Sequence, residues 1–485
     1  MSKITSLTDE ALIALDGLQD AAYNLVSPSL RFGVTGLSRA GKTVFITSLV
    51  HNLIHGGKLP LFSAQSSGRL ARAYLEPQPD DNVPRFQYED HLNSLLEDRI
   101  WPQSTRAISE LRLTLEYESA SAWNRTFGRG KISLDIVDYP GEWLLDLPLL
   151  GKTYEQWSRE ALALSRLPVR APLAKKWHAR LGKINPNAHE DEAIARELAS
   201  LFTDYLRECR KDNTALSTLP PGRFLMPGDL EGSPALTFAP LDLSDEQTAE
   251  KQSLHAMMAR RYESYKSIVV KPFFREHFAR IDRQIVLVDV LQALNAGPDA
   301  VSDLENALQD ILQCFRPGGG SWLSTLFSTR TDRILFAATK ADHLHHENHD
   351  RLEALLSHLV DGAVEKAKFA GTKVDVVALA AIRATSEAEL KEGNEVLPLI
   401  VGTPMKDEKI DGEIFDGETQ TAIFPGDLPK NARNALSDAA AARTDLNFVR
   451  FRPPRLEETK EGITLSLPHI RLDRALEFLL GDKLL

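Results

Sequence analysis

Residues 36–43 read Gly36-Leu37-Ser38-Arg39-Ala40-Gly41-Lys42-Thr43, a complete GxxxxGK[ST] phosphate loop. Just before it, Leu30-Arg31-Phe32-Gly33-Val34-Thr35 has the make-up of a short strand. After it, Val44, Ile46, Leu49, Leu53 and Ile54 keep a helical period up to a stop at Gly56-Gly57. Gly36 and Gly41 permit backbone torsions that a side chain would forbid, so successive N–H groups can converge on phosphate oxygens. The helix opening at Lys42 adds the positive end of its dipole. Lys42 is a flexible point charge for the β- and γ-phosphates, and the Thr43 hydroxyl suits Mg²⁺. The bland alternative is a glycine turn ahead of an ordinary helix.

Working outward, two alternating segments, 111–117 and 132–138, are joined by a linker holding Asn124, Gly128 and Gly130, which predicts a long-looped hairpin. The second ends in Asp138-Tyr139-Pro140-Gly141. An acid at a strand end facing a phosphate loop suits a water-mediated Mg²⁺ contact, and the Gly141 N–H can sense a γ-phosphate. Taken alone, DxxG is a common Pro-Gly turn. Further on, strand signals at 285–289, 333–338 and 374–379 alternate with helical stretches at about 299–315 and 345–368, the βαβ signature of a mostly parallel sheet.

A third motif, Thr339-Lys340-Ala341-Asp342, follows the second of those strands. Guanine offers N1–H and an exocyclic amine side by side, and one carboxylate accepts both, whereas adenine has an acceptor at N1. Asp342 is therefore the expected base-reading residue, with the Lys340 stem over the base plane. Ala380-Ala381-Ile382-Arg383, after the next strand, lies where backbone N–H groups of Ala381 and Ile382 can meet the guanine O6.

The chain has 485 residues, of which 43% are hydrophobic and 26% charged, the mixture of a globular protein. With 57 basic and 68 acidic side chains the net charge is −11, the wrong sign for holding nucleic acid by surface field. Two cysteines, Cys209 and Cys314, exclude a disulfide framework. No apolar run is long enough to span a bilayer, and the N-terminal stretch is cut by Asp16 and Asp20, so we expect a cytoplasmic protein with no transmembrane segment or signal peptide. Residues 7–26 carry a leading amphipathic helix pattern. Residues 58–108 read as loop with helical pieces.

The predicted divisions are 1–150 and 281–386 as two halves of an α/β core and 151–280 as a helical insertion. Residues 387–470 are read as a β-rich insertion and 471–485 as a closing core helix.

The three motifs, in this order and with the hairpin between the first two, resemble Ras-like GTPases. The wording is closer to the YcjX family of stress-associated bacterial proteins. The continuation of the loop through Val44-Phe45-Ile46-Thr47-Ser48-Leu49-Val50-His51-Asn52 looks like that family's opening. So do Trp101-Pro102 before Thr105, the stretch 138–143, and Thr339–Asp342 followed by His343. The resemblance implies a Ras-like P-loop core whose mostly parallel sheet has one antiparallel strand, and it makes the β-rich insertion SH3-like. It also implies GTP and GDP binding with Mg²⁺, GTP hydrolysis and a membrane-linked protein effector. Carried over by position, Thr105 joins Thr43 and Asp138 at the metal, while Trp101, Ser104, Arg106, Val44 and His343 lie beside the nucleotide. For Trp101 the alternative is a Trp-Pro core anchor. A P-loop ATPase or phosphotransferase and a non-hydrolysing nucleotide-gated scaffold stand as alternatives.

Three departures from Ras bear on mechanism. Glu142 replaces the glutamine that orients the attacking water; a carboxylate accepts from that water but cannot donate to the transition-state oxygens, which predicts slow turnover. Arg39 stands where potassium-activated GTPases have asparagine and can spread its charge over the β–γ bridge in cis or point to solvent, with Arg106 as the rival arginine. Pro140 stiffens the loop that must move. Among weaker signals, His345, His346 and His349 open a helix at a spacing able to bind zinc. No cysteine or third ligand is in view, so a hydrated helix face is expected.

Overall fold

The computed structural model describes residues 28–36, 39–103, 107–120, 130–211, 219–244, 249–313, 331–369, 371–392, 395–410, 412–430, 446, 448–455, 458–459, 462–463 and 466–485. The leading helix pattern, Ser38, Ser104, Thr105, Arg106 and the hairpin-linker residues Asn124 and Gly128 lie outside them. The chain forms two compact units, one from residues 1–139, 280–298 and 330–485, the other from 140–279 and 299–329.

The first unit is built on a seven-stranded sheet with the order β2-β3-β4-β1-β5-β6-β7. Its strands are β1 (Ser29–Gly36), β2 (Leu70–Glu76), β3 (Ser109–Tyr117), β4 (Gly130–Asp138), β5 (Arg283–Val288), β6 (Arg333–Ala338) and β7 (Lys373–Ala378). Only β3 opposes its neighbours, pairing antiparallel with both β4 and β2. The remaining pairs are parallel. This is the Ras-like P-loop core expected from the sequence. The strand β2 corrects the reading of 58–108 as loop with helical pieces. It is an edge strand in which Ala73 alone is fully buried, so charged residues mask its alternation.

One face of the sheet packs on the helices α1 (Lys42–Ile54) and α2 (Leu472–Leu480). Leu111, Leu113, Leu115, Ile132, Leu134 and Ile136 alternate toward them. Helix α1 is buried nearly all round, and its polar side chains are satisfied internally: the Thr47 hydroxyl donates to the Thr43 carbonyl at 2.8 Å and the Ser48 hydroxyl to the Ala381 carbonyl at 2.5 Å. It ends as predicted, with Gly56 left-handed (φ 67°) and the Gly57 N–H returning to the Asn52 carbonyl. At the C-terminus of α2 the buried Arg283 guanidinium donates to the Leu479 carbonyl at 3.1 Å and pairs with Asp482 at 2.8 Å. A cation there satisfies an orphan carbonyl and the helix dipole together.

The other face of β3 and β4 carries polar residues that are also buried. Arg112 grips Asp135 through two bonds of 2.6 and 2.8 Å. Beside them Glu110, 1% exposed, has only a long contact to Arg31 at 3.5 Å. Burial outweighs that attraction and raises the Glu110 carboxyl from 4.5 to about 7. An acid whose folded value is raised contributes stability that is fully present below its unfolded value and is lost as pH rises through the folded one. Between pH 5 and 8 this residue therefore costs the fold on the order of 2–3 kcal/mol. Glu110→Gln is expected to remove that slope and to be the more stable protein at pH 8, as read from urea midpoints at the two pH values.

Residues 386–423 hold a separate three-stranded sheet, with β9 (Glu395–Gly402) between β8 (Ser386–Glu392) and β12 (Thr421–Ile423), and a small hairpin of β10 (Lys409–Ile410) and β11 (Glu413–Ile414). Ile400, Phe415, Ile423, Val449 and Phe451 form its core.

The second unit is helical. It opens on a 3₁₀ segment, Gly141–Gly151, and continues through the helices Tyr154–Ser165, Ala171–Leu181, Glu192–Lys211 and Leu254–Tyr265. On the helix Glu192–Lys211, Leu198, Phe202, Tyr205 and Leu206 are buried in its core, while Ile194 and Leu201 of the same apolar period are half-buried. Aromatic rings do most of the packing, with Trp157 stacked on Tyr262 at 5.2 Å and Trp177 on Tyr205 at 5.4 Å.

Candidate functional site

Strand β1 runs into the phosphate loop because its last residue can approach the neighbouring strand closely. A Cβ at Gly36 would lie 2.7 Å from the Leu287 carbonyl oxygen of β5, so no side chain fits. Gly41 is needed for a different reason. Its φ is +86°, while a Cβ there would meet nothing within 4 Å. The glycine fixes a left-handed turn and leaves the space above it open. Arg39 is also left-handed, at φ 65°. The Gly41 carbonyl accepts from the Phe45 N–H at 2.9 Å, which starts α1 and leaves the first N–H groups without helical partners. This is the cradle that an anion needs.

Lys42 is 8% exposed, and its ammonium donates to the Gly36 carbonyl at 3.2 Å, so its charge is held at the loop. The Arg39 side chain is exposed and has no ion-pair partner among the described residues. Thr43 is the second residue of α1, and Asp138 ends β4 directly beside β1, where Val34 is its register partner. Both are buried. A hydroxyl and a carboxylate at adjacent strand and helix ends form a hard oxygen donor pair that suits Mg²⁺.

Asp342 lies at the C-terminal end of β6 and is 4% exposed. Its carboxylate accepts from the Ala384 N–H at 2.9 Å, and its carbonyl accepts the Thr385 hydroxyl at 2.5 Å. The loop after β7 is thereby tied to the 339–342 motif, and Ser48 of α1 holds the same loop at Ala381. Lys340 takes a left-handed turn at φ 62°, and its ammonium pairs with Asp289, the residue that follows β5. Burial holds His343 below the usual histidine value, so it is neutral near pH 7. Its ring meets Phe451 edge-on at 5.5 Å.

Trp101 donates its indole N–H to the Phe451 carbonyl at 2.6 Å. It shares one apolar cluster with Val44 and Ile382, so three residues expected at the nucleotide do come together. The indole N–H is already committed, which leaves its apolar face as the part able to act.

Gly141 and Glu142 open the helical unit. Glu142 is 3% exposed and lies 2.7 Å from the Arg210 guanidinium, on the last turn of the helix Glu192–Lys211. The expected water-orienting carboxylate is therefore held in an ion pair. The whole segment is seated in the same way. Asp146 accepts from the Gly222 N–H at 2.7 Å, the Arg223 N–H at 3.3 Å and the Tyr265 hydroxyl at 2.6 Å. Burial still raises it to about 6.

Sequence reasoning missed Asp289 and Arg210. Asp289 had a signal, an acid closing a hydrophobic strand as Asp138 does. Arg210, one arginine on a polar helix, had none.

The YcjX-like family, DUF463, matches residues 30–484. The chain is 40% identical over 470 residues to a protein named Ras-like GTPase YcjX from Escherichia coli (strain K12), covering 95% of this chain and 97% of that one. It is 34% identical over 486 residues to a protein of the same name from Shewanella oneidensis, covering 96% and 97%. The phosphate loop, the Asp138 strand end and the Asp342 loop all lie inside the matched span, and the chain belongs to the YcjX-like family.

Proposed function

We propose that this protein binds GTP and GDP with Mg²⁺ and hydrolyses GTP to GDP and phosphate, acting as a slow nucleotide-gated switch in a bacterial stress response. The observation that carries the reading is Asp342. A buried carboxylate held by the Ala384 N–H sits in the same unit as the phosphate cradle and Lys42, so base and triphosphate recognition belong to one body. The names of the two relatives support the same activity.

In this reading Gly36, Ser38, Gly41, Lys42 and Thr43 hold the phosphates. Thr43, Asp138 and Thr105 hold Mg²⁺, which when bound neutralises phosphate charge. Lys340, Asp342, His343, Ala381 and Ile382 surround the base, with Trp101, Val44, Ser104 and Arg106 beside them. The ion pair of Glu142 with Arg210 supports slow turnover, because a carboxylate so committed is unavailable to the attacking water until the pair opens. Positioning then falls to Gly141 and to an arginine, Arg39 or Arg106. Residues 151–280 are taken as a helical insertion, 387–470 as an SH3-like one, and a membrane-linked protein as the effector. No described helix is long and apolar enough to cross a membrane.

Calorimetry with GDP and ADP in Mg²⁺ tests the base reading, with GDP expected to bind at least 100-fold tighter. Equal affinities would return the ATPase alternative. Single-turnover cleavage of GTP tests hydrolysis, and no phosphate release over hours would leave the scaffold alternative.

A further inference from the structure

His345, His346 and His349 were expected on a hydrated helix face. Among them only His346 is well exposed, with 62% of its side chain in solvent. His349 is buried and its Nε2 bonds the Ala341 carbonyl at 2.9 Å, which removes it as a ligand. His345 is 3% exposed, and its Nδ1 is buried without a hydrogen-bond partner. The nitrogen that this ring turns toward β8 is the other one, Nε2.

The missing third ligand comes from elsewhere in the chain. Glu387, on β8, brings its carboxylate to 3.9 Å from His345 Nε2 and 2.8 Å from His346 Nδ1. The ligand atoms of all three residues lie within 4.8 Å of one another. Zinc bonds of about 2.0–2.2 Å in a tetrahedron put ligand atoms about 3.4 Å apart, and the distances of 2.8 and 3.9 Å bracket that value. Two imidazoles and one carboxylate are a donor set for zinc rather than for Mg²⁺, which prefers oxygen alone. A zinc ion held by these three residues would keep its fourth position for a water. Arg383 is the opposing charge, 3.2 Å from the other Glu387 oxygen, and it leaves one oxygen for the metal.

We infer that His345, His346 and Glu387 form a zinc site that clamps the loop after β6 to strand β8. The clamp would stand beside the base-reading carboxylate, since Ala384 and Thr385 are the residues that bond Asp342.

The test uses the full chain without nucleotide, so it does not depend on GTP binding. Equilibrium dialysis against zinc is expected to give one tightly held ion per chain. Cobalt substitution is expected to give visible d–d bands of tetrahedral strength with no thiolate charge transfer. His346→Ala, at an exposed position where folding is not at risk, and Glu387→Ala are each expected to weaken zinc binding at least tenfold. Arg383→Ala keeps the site or tightens it by releasing Glu387. If wild type retains no more zinc than the His346→Ala/Glu387→Ala double variant, or if cobalt stays octahedral, the site does not exist.

Discussion

Asp342→Asn is expected to bind GDP about 10²–10³-fold more weakly than wild type and to gain affinity for xanthosine diphosphate. Two charge-assisted hydrogen bonds at about 1.5–3 kcal/mol each are at stake, and a tenfold change costs about 1.4 kcal/mol. An amide keeps one acceptor but turns an NH₂ toward a guanine donor, whereas xanthine offers a carbonyl at that place. The structure adds a complication. One Asp342 oxygen already accepts from the Ala384 N–H, so the asparagine must choose between the loop and the base. That competition pushes the loss toward the upper end. Calorimetry with both nucleotides decides, because recovered binding of the xanthine nucleotide shows an intact pocket. A variant that still preferred guanine as strongly as wild type would remove Asp342 from the site.

The second large effect is expected far from the phosphate loop. Gly222→Ala should destabilise the helical unit by more than about 4 kcal/mol, the range reserved for changes that break packing outright. A Cβ at this position would lie 1.9 Å from the Glu142 carbonyl oxygen and 2.4 Å from its carbon. Both are backbone atoms, so no side chain can swing away. The 3₁₀ segment must move, and with it go the Gly222 and Arg223 N–H bonds to Asp146 and the Glu142–Arg210 pair. Each loss leaves a buried carboxylate worse satisfied. Gly182→Ala is the control, since a Cβ there meets only the His178 carbonyl at an ordinary 3.6 Å. It should cost less than about 0.5 kcal/mol, as surface changes usually do. Fluorescence of the buried Trp143, Trp157 and Trp177 follows the unfolding of this unit. GDP affinity, carried by the other unit, is expected to change less than threefold. If Gly222→Ala melts like wild type, the seating of residues 141–151 on residues 222–223 is wrong.

This second result matters for the mechanism. Gly141 is the residue proposed to feel the γ-phosphate, and its immediate successor is ion-paired to Arg210 within the same helical unit. In the proposed mechanism the Glu142 carboxylate is freed for water only when that pair opens.

The sequence made part of this legible and hid the rest for identifiable reasons. The hairpin 111–117/132–138 was plain because Leu111, Leu113, Leu115, Ile132, Leu134 and Ile136 line its inward side. Its outward side looks solvated in sequence, yet Glu110 and Asp135 are buried there. Strand β2 was missed because an edge strand with Arg72 and Glu76 carries too little apolar alternation to announce itself. The histidines near 345 looked hydrated because their carboxylate partner lies 41 residues further on, at the head of a different sheet.

What the sequence alone determined is the phosphate loop, the strand before it, the helix after it, the acid that closes β4 and the Asp342 motif in the loop after β6. These depend on backbone torsions, hydrogen-bond geometry and periodicity within about ten residues, and residue type states them directly. The tertiary structure alone decided that Glu142 meets Arg210, Lys340 meets Asp289, and Glu387 meets His345 and His346. A charge finds its partner through the path of the chain, and many equally charged side chains are available at every sequence distance. The choice among them is made only when burial removes water and leaves one neighbour within reach.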